Sequence, residues 1–202
     1  MDVLGRRAIS THDLGLPEEA PLTPATAIAL LLAALALVVL YSKLDRLFTY
    51  TFLKTIVVWG SHDELVKYLA DFTTTAEWDP NVKTARKISE NAFELTTLFR
   101  GNASTMAYLL TGVVQKGECD SIINLKGESG TAIAIDTIRL TADSVVDMVP
   151  RTRIVYKLEV SLKGWRRPFG RLIGGELEAL GSESLDGLVS TCALKFGPKD
   201  SK

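Results

Sequence analysis

The stretch that decides the fold is SHDELVKYLADFTTTAEWDPNV, residues 61–82. Ser61 followed three residues later by Glu64 has the capping-box form, in which each end of the motif satisfies a backbone N–H at a helix start. Leu65, Val66, Tyr68 and Leu69 then share one helical face. A second short helix is expected over about residues 71–77, closed by Asp79-Pro80, because the residue before a proline is driven out of the helical region. Upstream, TFLKTIVVW (residues 51–59) is β-branched and aromatic and reads as a strand that Gly60 ends.

Downstream of this helix pair the chain reads as six strands, at about residues 82–88, 92–100, 104–115, 120–126, 131–141 and 151–162. Turn-rich steps such as Gly101-Asn102 and Ser129-Gly130 separate them at hairpin spacing. Ile154, Tyr156, Leu158, Val160 and Leu162 alternate with more polar neighbours, as do Phe93, Leu95, Thr97 and Phe99, so each strand has one apolar face. In 131–141 the phase slips between Ile133/Ile135 and Ile138/Leu140, which predicts a bulge or a strong bend. After Lys163-Gly-Trp165-Arg166-Arg167-Pro comes a long helical stretch with Ile173, Leu177, Leu180, Leu188 and Leu194 as inward candidates. Its glycines weaken it by about 1 kcal/mol each relative to alanine and predict a bend or break near Gly181-Ser182. One-sided strands followed by one long helix imply an α+β fold, a curved antiparallel sheet of about seven strands around the C-terminal helix.

The 202 residues suffice for one domain with a real core. Lys and Arg number 23 against 24 Asp and Glu, which gives no reason to expect a polyanionic partner, and no nucleic acid is expected. Two distant cysteines and two histidines leave no metal motif, no disulfide framework and no material for a histidine-centred triad. No cofactor is expected.

Residues 22–41, LTPATAIALLLAALALVVLY, carry no charge. About twenty helical residues match the roughly 30 Å of a bilayer's hydrocarbon core. A cleaved signal peptide and a buried core helix are the alternatives; the first lacks an A-x-A cleavage pattern and the second lacks a polar stripe. Thr23 is the expected N-cap, and Lys43 and Arg46 with Tyr41 and Phe48 the interfacial anchor. Lys43, Arg46 and Lys54 after the helix, against Arg6 and Arg7 before it, place the soluble part on the cytoplasmic side or the equivalent matrix or stroma. The Asn102-Ala-Ser sequon matters only in the opposite orientation. The expected organisation is a polar tail (1–21), a transmembrane helix (22–42), a juxtamembrane linker (43–50), a ligand-binding domain (51–197) and a short tail (198–202).

The quoted segment, VVDMVPRTRIVYKLEV (residues 145–160) and the terminal helix resemble the SRPBCC superfamily, the START-like or helix-grip fold, and within it the polyketide cyclase/dehydrase and lipid transport group. The resemblance covers about residues 52–196. It implies a cavity between sheet and helix for an apolar small molecule such as a lipid, sterol, quinone or polyketide-like compound. Trp78 matches the tryptophan that ends the family's helix pair; it is expected to wedge that pair against the sheet, with its N–H on a carbonyl, as a core anchor or as cavity wall. Trp78, Phe93, Phe99, Met106, Tyr108, Tyr156 and Leu177 are the candidate ligand-binding residues, and Trp165, Arg166 and Arg167, with Lys43 and Arg46, a candidate membrane surface.

Three functions remain open: a membrane-anchored carrier or binding module, an accessory subunit of a larger membrane protein complex, and a cyclase/dehydrase-type enzyme. For the last, Tyr108, Tyr156, Asp136 and Arg139 could supply polar chemistry, although no pair stands out by spacing and no catalytic constellation is identifiable.

Overall fold

The computed structural model describes residues 23–99, 101–146 and 148–198. In chain order these form α1 (Pro24–Phe48), β1 (Tyr50–Trp59), α2 (His62–Ala70), a 3-10 turn (Phe72–Thr74) running into α3 (Thr75–Trp78), then β2 (Val82–Lys87), β3 (Ala92–Phe99), β4 (Asn102–Gly117), β5 (Asp120–Glu128), β6 (Ala132–Val146) and β7 (Val149–Leu162), a 3-10 segment (Gly164–Arg171) and α4 (Gly174–Phe196). The chain divides into two compact units between Leu44 and Asp45.

In the first unit, Thr23 caps α1 as expected: its Oγ1 accepts the Thr26 N–H at 3.3 Å. Ile28, Leu31, Leu35 and Leu37 are all more than half exposed. Side chains of α1 are described from Pro24 to Leu40, a rise of about 25 Å. Among the described residues no helix is long and apolar enough to cross a membrane. The linker expected at 43–50 is mostly helix, because residues 41–48 contain no glycine or proline to stop α1 before Phe48. Leu22 and the tail 1–21 lie outside the described residues, as do 199–202.

The second unit is one seven-stranded antiparallel sheet in the order β1-β7-β6-β5-β4-β3-β2. Hairpins connect every neighbouring pair from β2 to β7, and β1 pairs with β7 along its whole length, Tyr50 opposite Val160 through Trp59 opposite Arg151. β4 is shared unequally: residues 102–109 pair with β3 and residues 107–117 with β5, so only 107–109 have partners on both sides. Register shifts after Leu110 and Gln115 add to this offset. Strands staggered in this way coil the sheet.

The bulge predicted within 131–141 is absent. β6 pairs regularly with β7 from Ala132 to Ala142, and the shift falls between Ala142 and Ser144. The buried phase is Ala134, Asp136, Ile138 and Leu140, continuous through the segment. Ile133 and Ile135 lie on the other face. Their β-branched side chains suit an outer strand surface as well as a core, which is why they mislead.

Gly60 ends β1 with φ +127°, a conformation that a side chain rarely adopts. Its N–H donates to the Pro150 carbonyl at 2.9 Å, and the buried Thr152 hydroxyl donates to the Gly60 carbonyl at 2.9 Å. α2 then starts with the predicted box: the Ser61 N–H donates to Glu64 Oε2 at 3.2 Å and the Glu64 N–H to Ser61 Oγ at 3.4 Å. Leu65, Leu69 and Phe72 bury themselves against Ile123, Leu125, Leu140 and Ile154 from the sheet. Each such side chain contributes about 1.5–3 kcal/mol.

α4 is unbroken through Gly181. Its buried stripe is Gly174, Gly181, Leu185, Leu188 and Cys192, while Leu194, expected inside, is 87% exposed. The glycines are contact points. A Cβ at Gly174 would lie 3.0 Å from the Tyr50 ring, one at Gly181 would lie 2.9 Å from the Phe52 ring, and one at Gly187 would run into the Trp78 carbonyl. Helix propensity is given up here for close packing on β1 and on the end of α3. Cys119 is exposed and Cys192 buried, both as free thiols.

Gly187→Ala is therefore expected to lower stability by about 1–3 kcal/mol through overpacking. Gly175→Ala, which faces open space, should leave stability unchanged or raise it by up to about 1 kcal/mol. Chemical denaturation of the two variants side by side checks this; equal midpoints would remove the packing explanation for Gly187.

Candidate functional site

Between the sheet and α4 lies a cavity of about 320 Å³. β3 supplies Phe99, β4 Met106 and Tyr108, β6 Ala134 and Asp136, β7 Tyr156, Leu158 and Leu162, and α4 Leu177 and Leu180. Trp78, Asp79 and Asn81 close one side from the turn after α3. The alternation seen in the sequence of β7 puts every second residue from Tyr156 to Leu162 on this wall. Gly127 of β5 lies beneath the rings and chains of β4: a Cβ there would come within 2.7 Å of both Met106 and Tyr108. Tyr108 is further held by the Phe72 ring, 4.9 Å away between centroids.

The wall is mostly apolar, with the hydroxyl side chains of Thr97, Ser104, Ser129, Thr131 and Ser184 among its residues, and it carries one acidic cluster. Asp136 is 3% exposed and accepts a hydrogen bond from the Tyr156 hydroxyl on Oδ1. Its other oxygen has no protein partner. Burial pushes the Asp136 carboxyl up to about 6, against the opposing effect of the Tyr156 bond, and the charge on Asp79 adds to the rise. Asp79 is itself raised by burial, offset by the Asn81 N–H that it accepts at 2.9 Å. Tyr108 and Tyr156 are driven well above the usual phenol range, first by burial and then by the negative charge on Asp136. Two further buried atoms at this cavity lack partners, Trp78 Nε1 and Asn81 Nδ2.

Of the residues expected at the ligand, Trp78, Phe99, Met106, Tyr108, Tyr156 and Leu177 line this one cavity. Phe93 does not. It is 2% exposed in the solid core, edge-on to Phe72 at 6.0 Å, because the α2–α3 connection covers that end of β3. Trp78 is buried as a wedge, but its N–H meets no carbonyl, contrary to expectation. Arg139 points to the outer face and forms a bidentate pair with Asp120 at 2.7 and 3.0 Å, so it takes no part in the cavity under α4. Trp165 is 78% exposed on the 3-10 segment, with the Arg166 guanidinium 5.5 Å from its ring and Phe169 edge-on at 6.1 Å. Arg167 follows on the same segment. The Lys43 and Arg46 side chains lie outside the described residues.

No family model matches the chain, and no curated protein matches it. Solved structures do. The STAR-related lipid transfer protein of Xanthomonas axonopodis superposes with a TM-score of 0.55 at 15% identity, over 70% of this chain and 85% of that one. The fold is START-like. The di-domain ARO/CYC StfQ from the steffimycin biosynthetic pathway superposes with a TM-score of 0.54 at 14% identity, over 78% of this chain but 55% of its own length. A hypothetical protein of Helicobacter pylori gives 0.52 at 15% identity, over 70% of this chain and 87% of that one. At such identities the START-like backbone is what is shared.

Sequence reasoning named Asp136 and Tyr156 among the groups that could supply polar chemistry but did not pair them, and it read Asp79 only as a helix stop. The signal for Asp136 was present, since it stands in phase with Ile138 and Leu140. A proton on Asp136 is held more tightly in the folded domain than in the unfolded chain, whose carboxyl titrates near 3.9. Its contribution is therefore full below about pH 4 and is lost as pH rises through about 6, up to about 3 kcal/mol. Asp136→Asn, which has no proton to lose, should gain stability relative to the parent across that window. Paired urea titrations at pH 4 and pH 7 measure it, and a pH-independent difference would show that Asp136 titrates normally.

Proposed function

We propose that this protein is a membrane-tethered START-like domain that binds an apolar small molecule in the cavity under α4. The observation that carries the reading is the partly open, mainly apolar hollow of about 320 Å³ under α4, within the usual size of ligand sites, roughly 300–1,000 Å³. A core of this size has no need of such a space for stability, since unfilled volume costs packing energy. The solved neighbour from Xanthomonas axonopodis is called a lipid transfer protein, which supports the same class of cargo. The uncharged stretch of α1 from Pro24 to Leu40 supports the tether: Leu30, Leu31, Leu32, Leu35, Leu37 and Leu40 are all more than half exposed. A tether keeps the domain near a lipid reservoir and raises the effective ligand concentration. Lys43 and Arg46 in the last turns of α1, with Lys54 after it, favour the cytoplasmic side, or matrix or stroma, for the domain. Trp165, Arg166 and Arg167, with Lys43 and Arg46, would rest on the headgroups.

A second reading is favoured by one observation, the Asp136–Tyr156 hydrogen bond inside the cavity. A carboxyl raised to about 6 beside a phenol is suited to acid/base work on a bound ligand, as in a cyclase or dehydrase.

Small molecules released from gently purified full-length protein and identified by mass spectrometry should include a stoichiometric apolar compound. Leu177→Trp, which fills the cavity, should reduce its occupancy at least tenfold while the melting temperature stays within a few degrees. An empty cavity in both proteins would favour the accessory-subunit function instead. Vesicle association of the full chain should survive alkaline carbonate and be lost in the Leu32→Arg/Leu35→Arg double variant; carbonate-soluble parent protein would remove the tether.

A further inference from the structure

We propose that the cavity selects an uncharged ligand with a hydroxyl at its polar end and rejects a carboxylic acid of the same shape. This rests on the carrier reading above and adds the chemistry of the cargo.

The first observation is the charge of the wall. Among the described residues that line the cavity there are two carboxylates, Asp79 and Asp136, and no lysine, arginine or histidine. An acid entering this space would leave water as an anion, meet no cation and face two negative groups. Arginines do lie nearby in the fold, but Arg139 and Arg153 are engaged on the outer face of the sheet with Asp120 and Asp143.

The second observation is the set of buried polar atoms without a protein partner. Trp78 Nε1 and Asn81 Nδ2 are donors, and Asp136 Oδ2 is an acceptor. The Tyr156 hydroxyl already occupies Oδ1, which leaves Oδ2 as the carboxylate oxygen without a partner. Trp78 and Asp136 are 8% and 3% exposed, so bulk water does not serve them. A hydroxyl is the simplest group that answers both kinds of demand: its proton goes to Asp136 and its lone pairs accept from Trp78 or Asn81. A ketone leaves Asp136 without a donor. A protonated amine suits Asp136 but offers no lone pair to the two donors, and an alkane satisfies none of the three.

The rest of the wall sets the other end of the ligand. Phe99, Met106, Leu158, Leu162, Leu177 and Leu180 supply most of it through dispersion contact, with hydroxyls of Thr97, Ser104, Ser129, Thr131 and Ser184 between them, so the ligand has a largely apolar body beside the group that answers Asp136.

The test is competition at pH 8 between dodecan-1-ol, dodecanoic acid, dodecylamine and dodecane, in equimolar mixture, with bound species of the full-length protein read by native mass spectrometry. The alcohol complex should exceed the dodecanoate complex at least tenfold and should also be the most abundant of the four. Asp136→Asn should shift the acid-to-alcohol ratio at least fivefold toward the acid. Asn81→Leu, which leaves the Asp136–Tyr156 bond intact, should reduce the alcohol's advantage over dodecane and keeps the proposal testable if Asp136→Asn does not fold. Equal binding of acid and alcohol, or dominance of the amine, overturns this proposal and leaves the carrier reading standing. Absence of all four complexes overturns both.

Discussion

The structure depends on how closely α4 can approach the sheet at three points. At Gly174, Gly181 and Gly187 the helix meets the Tyr50 ring, the Phe52 ring and the Trp78 carbonyl at distances that a methyl group would not allow. These contacts fix the helix along β1 and against the end of α3. Between and beside them Ile173, Leu177, Leu180 and Leu185 reach over the concave face without filling it. The hollow is therefore a result of uneven spacing: contact at the glycines, stand-off at the leucines. A helix of better formers would be more stable alone and could not sit this low.

The local part of this architecture was legible in the sequence. Ser61 with Glu64, the Asp79-Pro80 stop and the period-two alternation of β7 each act over a few residues, and each is found in place. What could not be read were features set by partners distant in the chain. The glycines of α4 counted as weaknesses until Tyr50, Phe52 and Trp78 were placed against them. Leu194 looked inward because the helical stripe was phased on leucines, whereas the true stripe begins on glycine. In β6 the isoleucines at 133 and 135 outweighed a continuous inward phase that contains an aspartate, a residue that hydrophobic pattern alone assigns to the outside.

The candidate site divides in the same way. Six of the seven side chains expected at the ligand share one cavity, because strand parity and the Trp78 position were readable. Phe93 shares the parity but sits under the α2–α3 connection, and parity says nothing about position along the strand. The bond between Asp136 and Tyr156 joins residues of different strands whose direct partners are Leu158 and Ile138. It arises from the diagonal relation of neighbours on one face, which exists only once register is set. Desolvation then does the chemical work, giving a carboxyl and a phenol properties that neither has in water.

β4 carries a further consequence. Its two halves belong to different neighbours, with only residues 107–109 held on both sides, so the curl of the sheet is decided by an offset between hairpins and hardly at all by which side chains occupy them. Such a sheet tolerates wholesale replacement of its residues, and its enclosed volume can be retuned by sliding one hairpin along the other. A backbone governed in this manner is expected to persist long after sequence likeness has faded, which is the relation seen here: superposable chains that share about one residue in seven.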